Sequence, residues 1–197
     1  MKIFLLIIST LIAVFILFQL YITMAKSETQ AYNVIKIENG FEIRYYPSCT
    51  MAMITSSANT YRELGSSGFR KLAGYIFGGN VDKKHIAMTS PVHMDINDSV
   101  STMAFVMPSN YSKDNLPLPN DSGVTIKNIP EEYVAAIKFG GFASADKIKK
   151  YTQILEDSLK AHHITYYGNF RFLGYNPPYQ LFGRRNEIIV SVNKVAN

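Results

Sequence analysis

Tryptophan is absent, and cysteine occurs once, at Cys49, in a chain of 197 residues. A single thiol excludes an intramolecular disulfide and any cysteine-based structural zinc site. Cys49 is left to be a buried small apolar residue or an intermolecular partner. Charge is sparse as well: 18% of residues are charged, for a formal net charge of +5. Removing residues 1–25 takes away only Lys2, so the remainder carries +4. A surplus that small, with no clustered basic stripe, gives no case for a nucleic-acid partner. It suits a mild preference for anionic ligands or lipid headgroups.

Catalytic motifs are missing too. No G-x-S-x-G elbow occurs, and Cys49 has no activating partner nearby in the sequence. Gly78-Gly79 and Gly140-Gly141 lack the context of a phosphate-cradling loop and read as turn or bulge glycines. The four histidines do not converge. His85 and His93 would lie roughly 26 Å apart on an extended strand, too far to share an ion. His162 and His163 are adjacent at a helix end, where their side chains diverge by about 100°. No metal site is expected, and the reading is a non-enzymatic binder.

What the chain does have is apolar residues, 47% of the total, enough for one domain with its own core. Thirteen Tyr and twelve Phe favour strands. Residues 3–22 are almost wholly apolar, broken only by Ser9, Thr10 and Gln19, about the length a bilayer-spanning helix needs. Two readings stand for residues 1–25. One is an uncleaved signal anchor, single-pass with Lys2 kept inside. The other is a cleaved signal peptide with Thr23-Met24-Ala25 as its site, leaving a secreted or periplasmic domain. Either places residues 26–197 on the exported side.

That domain carries an internal repeat. Ile43-Arg44-Tyr45-Tyr46-Pro47 aligns with Ile126-Lys127-Asn128-Ile129-Pro130, and the same offset pairs Ala52 with Ala135 and Ile54 with Ile137. Two strand-strand-helix-strand-strand units are expected, over residues 32–108 and 122–195, joined by the Pro-, Asn- and Asp-rich stretch 109–123. In the first helix Thr60 and Glu63 form a capping box, and Leu64, Gly68, Leu72, Tyr75 and Ile76 share one face. In the second, Ser144 caps and Ile148, Tyr151, Leu155 and Leu159 make the apolar stripe. Asn39-Gly40 is a hairpin turn, and β-rich runs follow around residues 42–46, 51–54, 102–106, 134–137 and 187–192. The fold class is α+β.

Two segments stand out chemically. Met88-Thr89-Ser90-Pro91-Val92 breaks a β-rich run with proline. Gly174-Tyr175-Asn176-Pro177-Pro178-Tyr179 is a stiff aromatic turn, followed by Gly183-Arg184-Arg185-Asn186-Glu187. Guanidinium groups beside aromatics suit a flat ligand with carboxylates, or pair with Glu187 for structure alone.

Taken with Ile86-Ala87, Phe105-Val106-Met107-Pro108, Glu42-Ile43-Arg44-Tyr45-Tyr46 and Phe139-Gly140-Gly141-Phe142, these motifs resemble the SOUL haem-binding family in order and spacing over residues 32–195. The resemblance implies an eight-stranded, distorted antiparallel barrel flanked by two helices. It also implies binding of haem or another tetrapyrrole in a shallow cleft beside the first helix. By position, Arg62, Leu64, Lys71, Leu72 and Tyr75 would line that cleft, with Tyr175 and Tyr179 as a rim. Some members have histidine where this chain has Tyr45, which is left as a candidate ligand or an ordinary strand tyrosine. The same fold also resembles bacterial effector-binding domains, so recognition of other small apolar ligands is the alternative.

Overall fold

Runs of β-branched and aromatic residues at period two, interrupted by two amphipathic stretches, determine the architecture. The computed structural model describes residues 2–24, 27–97 and 99–194. Ala25 of the expected cleavage stretch, Lys26 and the expected end of the second unit at residue 195 lie outside the described residues. The elements are α1 (Lys2–Met24), β1 (Asn33–Glu38), β2 (Phe41–Tyr46), β3 (Cys49–Ser56), α2 (Tyr61–Ile76), β4 (Val92–Asp95), β5 (Ser101–Val106), β6 (Val124–Ile129), β7 (Glu132–Gly140), α3 (Ala145–Ala161), β8 (Tyr166–Gly174) and β9 (Arg185–Val192).

The nine strands form one antiparallel sheet in the order β1-β2-β7-β9-β8-β4-β5-β3-β6. Apart from β1, this order is symmetric about the central β4–β8 pair. An offset of 83 residues carries β2 onto β6, and Tyr46 facing Glu132 corresponds to Ile129 facing Cys49. β1 is the strand beyond the eight implied by resemblance. It comes from the Asn39-Gly40 hairpin, with Gly40 at φ 94°, and pairs only with β2. β1 and β6 remain as free edges, so the barrel is open.

Each helix ends where its chemistry dictates. Thr60 Oγ1 accepts from Glu63 N at 3.2 Å, and after the cap at Phe77 the chain turns at Gly78 with φ 103°. Ser144 likewise accepts from Lys147 N at 3.3 Å. Leu64, Leu72, Leu155 and Leu159 are fully buried against Ile43, Ile54, Phe105, Ile137, Phe172 and Val190, so both helices cover the same face of the sheet. Smaller clusters occupy the opposite face: Tyr46, Val134, Ala136, Leu173 and Ile189 in one, Met51, Ala104 and Val106 in another. Segment 27–32 runs across that second face, held by Gln30 N to Ser90 O and Ser90 N to Glu28 O, both 2.8 Å.

α1 is different in kind. Its window Lys2–Tyr21 is long and apolar enough to cross a membrane by length and composition, a property shared by signal sequences, and its side chains are almost all exposed.

Two glycines at the end of α2 make opposite predictions. A Cβ on Gly79 would stand 2.5 Å from Gly74 O, whereas one on Gly74 would meet nothing within 4 Å. Gly79→Ala should cost about 1–3 kcal/mol through this clash, and Gly74→Ala should gain about 0.5–1 kcal/mol in the helix. Urea unfolding midpoints of the detergent-solubilised chain measure both.

Candidate ligand-binding site

The sheet departs from regularity on both members of the central strand pair. β4 is only four residues long, so after Asp95 the chain leaves the sheet through Ile96 and Asn97. β8 slips register between Tyr167 and Arg171, with Gly168 at φ 72°. α3 passes above. These departures leave a cleft of about 290 Å3 on the helix-covered face, lined by Met94, Ile96, Asn97, Ile148, Thr152, Gly168, Asn169, Phe170, Phe172 and Ile188. Asn169 Nδ2 reaches both Asp95 carboxylate oxygens at 3.2 Å and pins the bulge. The ring of Tyr61, the first residue of α2, meets Phe172 edge-on at 5.3 Å. Such a site offers apolar contact with a few side-chain amides and a hydroxyl. Among the described residues, no group of three or more His, Cys, Asp or Glu could hold a metal ion.

Behind the cleft, the opposite face is sealed by a charged network. Glu187 accepts two hydrogen bonds from Arg44, at 2.8 and 3.1 Å, two from Arg185 Nε and Nη2, at 2.9 and 2.7 Å, and one from Tyr175 Oη at 2.8 Å. Arg44 also donates to Glu42 at 2.7 Å and stacks on Tyr32 at 4.3 Å. Both Arg44 and Glu187 are fully buried. Burial alone would weaken the guanidinium's hold on its proton, but hydrogen bonds and charge from Glu187 overcome it, and the pKa of Arg44 is raised. Burial and the Glu187 charge push the Tyr175 phenol far up, so it stays a donor.

The same face holds a histidine relay. His93 Nε2 meets Gln30 Oε1 at 2.7 Å, and Gln30 Nε2 donates to Cys49 Sγ at 3.6 Å. Burial, then the charge of Arg171, pushes the His93 pKa down to about 3. Cys49 is half-buried rather than enclosed, and burial raises its thiol to about 11.

The residues expected to form one site are dispersed. Leu64, Leu72 and Tyr75 are core residues beneath α2, and Tyr75 Oη donates to Pro117 O at 2.9 Å. Arg62 and Lys71 are exposed, about 180° apart around that helix. Tyr45 lies on β2, its hydroxyl 2.6 Å from Glu131, and that hydrogen bond raises its pKa. Tyr175 belongs to the Glu187 network, and Tyr179 is exposed on the turn near α1. Arg184 does not face a ligand, since it donates to Pro177 O and Gln180 O at 2.7 and 2.6 Å. The cleft residues of β8 went unread, although Tyr166-Tyr167-Gly168-Asn169-Phe170 carries the signal: an aromatic strand broken by a Gly-Asn pair.

Two outcomes follow for the sealed face. Glu187→Gln takes the shared anion from the fully buried Arg44, which keeps Glu42, and from the part-exposed Arg185, and should cost about 3 kcal/mol in urea unfolding. His93 cannot take a proton in the folded state until near pH 3, whereas in the unfolded chain it does so below its ordinary pKa of 6.5. Stability should therefore fall on acidification from about pH 6.5 toward 3, by roughly 1.4 kcal/mol per unit from this group. Comparing unfolding midpoints with those of His93→Gln from pH 7 to 5 isolates that slope.

Known proteins resemble this chain in sequence and in fold. The family model described as SOUL heme-binding protein matches residues 27–191. Heme-binding protein 2 of Mus musculus is 29% identical over 156 residues, 75% of this chain and 76% of that protein. Heme-binding protein 1 of Xenopus laevis is 28% identical over 156 residues, 75% of this chain and 81% of that protein. Among solved structures, the C-terminal domain of EcmrR superimposes with a TM-score of 0.62 at 10% identity, covering 83% of this chain and 99% of that one. A hydrolase from Listeria innocua gives 0.56 at 7% identity, covering 81% and 94%. The solved structures speak for the fold alone. With the family model spanning all nine strands but the last residue of β9, the chain belongs to the SOUL heme-binding protein family.

Proposed function

We propose that this chain is a non-enzymatic binder of haem or a related planar tetrapyrrole, carried by a domain on the exported side of a membrane and anchored there by α1. The observation that carries the reading is the cleft over β4 and β8, whose lining is part apolar and part polar. Its 290 Å3 lies at the lower end of the range for ligand pockets. A tetrapyrrole would insert one edge among Met94, Ile148, Phe170, Phe172 and Ile188 and leave the rest of its ring outside. Asn97, Thr152 and Asn169 supply hydrogen bonds at the rim. Lys149, three residues before Thr152 on the same side of α3, and the exposed Arg62 beside Tyr61 offer charge to ligand carboxylates.

A bound haem would supply its iron; the chain supplies the apolar seat. No histidine is among the cleft residues, and His93 is bonded to Gln30 on the other face. Tyr45 is a poor ligand for this seat. It lies two strands from β9, about 10 Å, and its raised pKa disfavours the tyrosinate. The related names of the curated proteins, heme-binding proteins 1 and 2, support haem as the ligand. The small volume supports the second reading, a smaller planar apolar ligand seated in the same cleft.

Haemin titration of the chain in lipid nanodiscs, with empty discs as blank, tests this reading. Saturation at one haemin per chain with a shifted Soret band is expected. Ile148→Asp should weaken it about tenfold or more, and Tyr45→Phe should leave the band in place. A band that moves with Tyr45→Phe but not with Ile148→Asp relocates the ligand to β2. A featureless, non-saturating rise hands the cleft to the smaller ligands.

A further inference from the structure

The stretch from Tyr175 to Phe182 carries no charged residue, and its tip is strongly apolar on the outside. Tyr179, Leu181 and Phe182 are 58%, 41% and 65% exposed, and Phe142 beside them is 51% exposed. This is a built surface rather than a slack loop. Arg184 ties Pro177 O and Gln180 O from behind and stacks on Phe142 at 4.4 Å. Asn176 Oδ1 accepts from Arg185 N at 2.6 Å, and Gln180 Nε2 donates to Phe182 O at 2.8 Å. A rigid, uncharged, outward-facing apolar tip marks an interaction surface.

Its position names the partner. Gln19 is the one buried side chain among the described residues of α1. Its amide clasps the turn at two backbone points, Nε2 donating to Tyr179 O at 3.2 Å and Oε1 accepting from Leu181 N at 3.1 Å. Gln19 falls two residues before the end of the apolar window Lys2–Tyr21, about 3 Å along the helix axis. A 20-residue helix matches the thickness of a bilayer's hydrocarbon core, so the clasp sits at the boundary between acyl chains and headgroups. Amphipathic Tyr and apolar tips are favoured at that depth, as at the exposed Tyr21 of α1. A buried glutamine there is satisfied by the turn's own backbone.

We propose that the 177–182 turn, with Phe142, docks into the headgroup boundary of the bilayer that carries α1, so that the domain lies against its membrane rather than hanging from it. This rests on the anchor reading of α1 and is independent of the ligand in the cleft.

Because the chain has no tryptophan, single reporters are unambiguous. Phe182→Trp, Phe15→Trp within the span and Phe77→Trp at the exposed end of α2 would each be made in the full chain. They would be reconstituted in phosphatidylcholine vesicles with or without brominated acyl chains. Expected are strong quenching of the Phe15→Trp reporter and none at Phe77→Trp. At Phe182→Trp a blue-shifted emission should be quenched about twofold, as for a side chain at interfacial depth. Water-like, unquenched emission at Phe182→Trp while Phe15→Trp is quenched overturns the docking and spares the anchor. A blue shift that brominated lipid does not quench, and that grows with protein density, overturns it in favour of a second copy of the chain. Loss of quenching at Phe15→Trp overturns the anchor and the docking together, leaving the haemin result standing.

Discussion

A single buried carboxylate organises the sheet. Glu187 is the third residue of β9, and its two oxygens receive Arg44 from β2, Arg185 from its own strand and Tyr175 from just past the end of β8. Arg44 and Glu187 lie on either side of β7, where Arg44 faces Val134 and Glu187 faces Lys138, so the small Ala136 between them lets the two side chains meet. Five donors on one carboxylate make the burial of charge tolerable, and the geometry admits only one register of four strands. Tyr32 on Arg44 and Arg185 then ties the approach to β1 into the same knot.

That knot explains why the cleft lies where it does. One face of the sheet is occupied by the network, the Gln30–His93 relay and segment 27–32, leaving little accessible space there. The cleft forms on the helix side, where α2 packs over β3, β5 and β6 and α3 over β7, β8 and β9. Along the β4–β8 seam, where the units meet and neither helix is centred, space remains. The β8 bulge and the shortness of β4 widen it.

Much of this was legible in the residues. The buried positions of α2 are the five its periodicity predicts, and both caps lie at the expected hydroxyls. The Asn39-Gly40 hairpin and the strands around 42–46, 51–54, 102–106, 134–137 and 187–192 follow from alternation and turn chemistry. The candidate cleft was not legible, for a definite reason. Leu64, Leu72 and Tyr75 look the same in sequence whether an apolar residue lines a cleft or fills a core, and here they fill the core. Arg44 was equally opaque: a charge between Ile43 and Tyr45 reads as solvent-facing unless its partner 143 residues away is known. The one local hint was Glu187 at the head of Ile188-Ile189-Val190, a run without alternation that marks a strand covered on both faces.

Cys49 has a consequence for the thiol chemistry of the chain. Disulfide exchange proceeds through the thiolate, and a thiol pushed up to about 11 exists in that form in on the order of one molecule in ten thousand at pH 7. The hydrogen bond from Gln30 pulls the other way, toward the thiolate, but burial outweighs it. The odd cysteine is thus slow to exchange with other thiols at neutral pH.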